Sequence, residues 1–142
     1  MSNDQFAFLR KQQVPSRHAW QEAIDEAGFE FTLDEALEPF GEMGYRPCKL
    51  FGADAGFEIF YSPASEILED LEDLSILAAD RDICITMSWG GDMRDCASVM
   101  IASYALAKNF GAVVSYQGDE PVTTDQLLQQ TKEVVELARN DS

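Results

Sequence analysis

The chain has 142 residues, 26 acidic side chains against 10 basic ones, and a formal net charge of −16. That length suits one domain, and a hydrophobic fraction of 46% is enough for a core, which excludes global disorder. No apolar stretch approaches the ~20 residues of a bilayer-spanning helix, and the negative charge disfavours nucleic acid and anionic membranes as partners.

The first ten residues show no basic region followed by an apolar run, so no secretory signal is expected. Cys48, Cys84 and Cys96 are odd in number and lack zinc-site spacing, which fits inert thiols in a reducing, cytoplasmic setting.

Phe6, Phe8 and Arg10 alternate with Ala7 and Leu9, predicting a short strand. Pro15 and Ser16 open a helix capped by Ser16, with Ala19, Trp20, Ala23, Ile24 and Ala27 on one face and Gly28 closing it. Strict alternation over 29–33 predicts a half-buried strand. Asp34 then caps a brief helical turn over 35–40, stopped by Pro39 and Gly41. Residues 45–51 and 57–61 read as a hairpin joined by the loop Gly52-Ala53-Asp54-Ala55-Gly56.

Ser62-Pro63 opens an acidic helix to Leu77, with Ile67, Leu68, Leu71, Leu74 and Leu77 inward and Glu69, Asp70, Glu72 and Asp73 outward. Residues 82–89 form the clearest strand, with Ile83, Ile85, Met87 and Trp89 facing one way. Gly90-Gly91 turns it into a long helix capped by Asp92 and ended by Gly111, apolar nearly all round and therefore central. A strand over 112–116, a turn at 118–121 and a helix capped by Thr123 or Thr124 complete the chain. In that last helix Leu127, Leu128, Thr131, Val134, Val135 and Ala138 face inward.

The expected architecture is one α+β domain over 1–142, a mostly antiparallel sheet with helices packed on one face. The unit 82–116 is strand–helix–strand, so its two strands can run parallel through a crossover.

No motif announces catalysis. His18 is the single histidine and sits on an amphipathic helix, so neither a cysteine nor a serine nucleophile has an obvious base. Gly90-Gly91 before a helix invites a phosphate-binding reading, but the Lys-Ser/Thr of a P-loop is missing and Asp92 and Asp95 would repel phosphate. Arg94 can pair with those aspartates. No metal site and no cofactor are expected.

Charge is more informative. Residues 22–95 hold 19 acids and 4 basic side chains, a net of −15, and the stretch 66–82 holds seven acids and only Arg81. An acidic face speeds encounter with a basic protein.

The hairpin segment Gly56-Phe57-Glu58-Ile59-Phe60-Tyr61, the strand Ile83 to Trp89 running into an alanine-rich helix, and Gly111-Ala112-Val113-Val114-Ser115-Tyr116 after it give the chain its likeness. In architecture it resembles the small acidic cytosolic immunity proteins that accompany bacterial polymorphic or contact-delivered toxins. The resemblance implies a non-catalytic module that neutralises a toxin by docking on it, and it transfers no functional residue. The partner-binding candidates are Glu69, Asp70, Glu72 and Asp73, with Trp89 and Asp92 at the strand–helix junction. Two alternatives stay open: a small-ligand protein or enzyme using a pocket near Gly90-Gly91, and a secretion accessory that binds an apolar client segment. The chain is expected as a monomer, with a homodimer through 97–106 as the other option.

Overall fold

The computed structural model describes residues 3–41 and 43–140. In β1 (Asn3–Leu9), Ala7 and Leu9 face a large core and Phe8 a smaller one on the opposite side, so the strand is covered on both faces. Ser16 caps α1 (Arg17–Glu26), its hydroxyl accepting from the Ala19 N–H at 3.1 Å, and Trp20, Ala23 and Ile24 turn inward.

The strand predicted over 29–33 shortens to β2 (Phe31–Thr32). Gln21 is the reason: its Oε1 accepts the Leu33 N–H at 2.8 Å and its Nε2 donates to the Phe31 carbonyl at 2.7 Å, taking backbone groups a ladder would use. Phe29 meanwhile turns to Tyr104, edge to face. The helix expected over 35–40 is a pair of isolated turns, because Pro39 is followed by Phe40 at φ 59°, outside helical space.

The hairpin of β3 (Gly44–Leu50) and β4 (Ala53–Pro63) is tighter than the sequence predicts. Pairing continues from Gly44 opposite Ile59 to Leu50 opposite Ala53, so the five-residue loop collapses to the turn Phe51-Gly52, with φ of 55° and 77°. Positive φ at both positions matches the twist of the flanking strands. Gly56 thus lies within β4, beneath the Tyr45 ring, where a Cβ would come 2.0 Å from the tyrosine oxygen.

The acidic helix is also two pieces, α2 (Ala64–Leu68) and α3 (Glu72–Leu77). One unbroken helix would stack Glu66, Glu69, Asp70 and Asp73 at repulsive spacings of three and four residues. The break at Leu71 instead places Glu72 and Asp73 in the first turn of a new helix, where the dipole favours carboxylates.

β5 (Ile83–Trp89) follows, then α4 (Met93–Phe110), whose cap Asp92 accepts the N–H groups of Arg94 at 2.8 Å and Asp95 at 3.2 Å. Every residue of α4 from Ala97 to Leu106 is buried within the chain, so no second copy is needed to cover it. β6 (Val113–Tyr116) leads to α5 (Thr124–Asn140). Thr123 is its cap: Oγ1 accepts the Gln126 N–H at 3.1 Å, and the Thr123 N–H donates to Gln126 Oε1 at 3.0 Å.

The six strands form one antiparallel sheet in the order β2-β3-β4-β5-β1-β6. β5 and β6 each run antiparallel to β1, so the unit 82–116 does carry two parallel strands, with β1 inserted between them. The long helices α1, α4 and α5 pack on one face of this α+β domain. On the other, α2 and α3 cover Phe8 and Cys84 with Ala64, Leu68, Leu74 and Ala78, a smaller layer that the sequence reading did not place. Among the described residues no helix is long and apolar enough to cross a membrane.

Candidate functional site

Glu69 and Asp70 lie in the break between α2 and α3, and Glu72 and Asp73 in the first turn of α3, all four exposed. Their carboxylates make no ion pair or hydrogen bond with another described residue. Several other acids are engaged. Asp34 pairs with Arg46 at 3.4 Å, Asp54 with Lys49, and Asp80 with both Arg10 and Arg81. Hydrogen bonds from Arg10 and then Arg81 hold the Asp80 carboxyl down at about 2. The α3 carboxylates Glu72 and Asp73, with Glu69 and the 75%-exposed side chain of Ile76, line a shallow depression of about 940 Å³. Arg81 also lines it, already bound to Asp80 and to the Gly111 carbonyl. Asp70 lies outside it.

A second hollow opens where β5 gives way to α4. Asn3 ties this end of the sheet together, its Nδ2 donating to the Gly90 carbonyl at 2.9 Å and its Oδ1 accepting the Tyr116 hydroxyl at 2.7 Å. The resulting cavity is about 680 Å³, with Trp89 and Tyr116 in its wall, their ring centroids 6.1 Å apart. Trp89 is only 8% exposed, so it lies in the wall of this cavity and does not project as a surface anchor. Asp92, Asp119, Glu120 and Glu133 line the cavity, and among the described residues no lysine or arginine does. The helix N-terminus is filled by the chain's own Asp92 carboxylate, which takes the N–H groups a phosphate would need. Gly90 and Gly91 have no atom within 4 Å of a built Cβ and no positive φ, so neither packing nor conformation demands glycine there.

A third hollow, about 360 Å³, joins the other two. Asp73 and Leu77 line it from α3, and Asp119, Glu120 and Pro121 from the turn after β6. Asp73 is shared with the α3 depression, and Asp119 and Glu120 with the Trp89 cavity. The two groups of residues singled out from the sequence, Glu69, Glu72 and Asp73 on one side and Trp89 and Asp92 on the other, therefore belong to one acidic flank. The link, Asp119-Glu120, was legible only as a turn before Pro121.

The remaining sequence candidates are dispersed. His18 is exposed and pairs with Glu22 one helical turn on, at 3.1 Å. Burial pushes the Cys48 thiol up to about 11 and Cys84 to about 12, and raises Cys96 as well, so all three are protonated thiols at neutral pH. Arg94 approaches the Asp54 carbonyl at 3.5 Å. Asp95 accepts the Gly56 N–H at 3.0 Å, beyond the last β4–β5 pair, and burial raises its pKa. Among the described residues no three metal-ligating side chains converge. Compared with protein-family models, with curated proteins and with solved structures, the chain matches none.

Proposed function

We propose that this chain is a non-catalytic binding protein that neutralises a basic partner protein by occlusion, acting as an immunity protein beside a toxin in the bacterial cytoplasm. The single observation that carries this reading is the run of carboxylates through three adjoining hollows, unpaired from Glu69, Glu72 and Asp73 to Asp119 and Glu120 and continued by the α4 cap Asp92. Unpaired carboxylates on one side create a field that speeds encounter with a cationic surface and rejects acidic ones. Ile76 and Leu77, 75% and 55% exposed beside those acids, supply apolar area that pairing of charges does not.

The test is co-expression with basic products of adjoining genes that arrest growth when expressed by themselves. Protection by this chain, lost on joint Glu69→Lys, Asp70→Lys, Glu72→Lys and Asp73→Lys substitution, supports the proposal. Protection that survives charge reversal removes its electrostatic part, and turnover of a substrate by the purified chain removes its non-catalytic part. A complex insensitive to salt would favour the secretion-accessory reading, in which Ile76 and Leu77 grip an apolar client.

A further inference from the structure

We infer that the cavity beside Trp89 is a receptor for an arginine side chain and its peptide group, presented by the basic partner; the inference rests on the binding role proposed above. Its volume, about 680 Å³, lies within the range of sites that enclose a small ligand. Charge selects the class: Asp92, Asp119, Glu120 and Glu133 line it without a lysine or arginine among the described residues to neutralise them.

Two largely buried residues in the lining, each with a polar atom left over, select further. Gln5 is 2% exposed, and its Nε2 donates to Ser103 Oγ at 3.1 Å and to Met100 Sδ at 3.6 Å, while its Oε1 bonds to no described residue. Trp89, 8% exposed, has an indole N–H that likewise bonds to no described residue. A free acceptor and a free donor in one lining complement the N–H and C=O of a peptide group, and a purely apolar occupant would strand both.

The aromatic pair then favours arginine over lysine. A guanidinium is planar, weakly hydrated and stacks on aromatic faces, so it loses less than a compact ammonium on entering a cavity walled by Trp89 and Tyr116.

The test needs no partner. N-acetyl-L-argininamide is titrated into the full-length 15N-labelled chain, and the two indole signals are followed by NMR. Trp20 provides the reference, because its indole N–H is held by the Ala102 carbonyl at 3.0 Å in the core. The expected result is a saturable shift of the Trp89 indole with the Trp20 signal fixed, and weakening by about two- to fivefold for each of Glu120→Gln and Glu133→Gln. N-acetyl-L-citrullinamide, which keeps the amide groups but replaces the guanidinium with a neutral urea, should bind more weakly and shift the Trp89 signal less. Equal shifts from both compounds, or none from either, overturn the inference. Growth protection and arginine binding are read separately, so loss of one identifies which of the two proposals has failed.

Discussion

Asp80 and Asp92 are both exposed carboxylates, and their neighbours give them different roles. Asp80, held by Arg10 and Arg81, has its pKa lowered from 3.8 to about 2. A lowered folded value means its contribution to stability is present above the ordinary carboxylate range and is lost as pH falls through about 2. Asp80→Asn should therefore flatten the decline in stability across that acid window, seen in urea unfolding at stepped pH. Asp92 caps α4, so Asp92→Ala should cost about 1 kcal/mol, whereas Asp92→Asn keeps the cap and removes only one carboxylate from the cavity. Denaturant midpoints of the two variants separate the roles. At this scale the sequence was legible where a side chain acts on its own neighbourhood, as the caps Ser16 and Asp92 do. Gln21 and Gln5 were not, because the groups they bind lie ten or more residues away and polar residues carry no periodic signal.

Among the elements, the long helices and β5 follow their apolar periodicity, while the short pieces depart from it. The acidic segment has helical spacing throughout and still breaks at Leu71, where repulsion between nearby carboxylates and the favourable start of α3 outweigh propagation. The Phe51-Gly52 turn was equally hidden. A phenylalanine at positive φ is disfavoured locally, yet here the Arg139 guanidinium lies 4.2 Å over its ring and its N–H donates to the Glu30 carbonyl at 2.9 Å. Between β5 and α4 the reverse holds, since glycine sits where another residue would fit. Gly91→Ala should raise stability by about 0.4–1 kcal/mol by restricting the unfolded chain, measured as a shift in denaturant midpoint.

For the molecule as a whole, a net charge of −16 makes the folded state repel itself. Sodium chloride raised from ~10 to ~150 mM should increase Tm by screening that repulsion. The fourfold lysine variant at Glu69, Asp70, Glu72 and Asp73 halves the net charge, so its Tm should rise less over the same range. A thermal melt series on both proteins checks this without any partner. The density of charge was plain from the sequence, but the joining of α3 to the Trp89 cavity was not. It depends on the turn after β6 lining one hollow with α3, a juxtaposition of residues some forty positions apart.

The position of β1 has a consequence for biosynthesis. Asn3 to Leu9 are synthesised well before their ladder partners, Ile83 to Trp89 on one side and Val113 to Tyr116 on the other. This strand must therefore wait, with Phe6 and Phe8 uncovered, until residues 83–116 have been translated. Pairing across such separations is slow and leaves apolar strands open to mispairing. Nascent chains stalled before residue 83 should thus be the forms most dependent on chaperones.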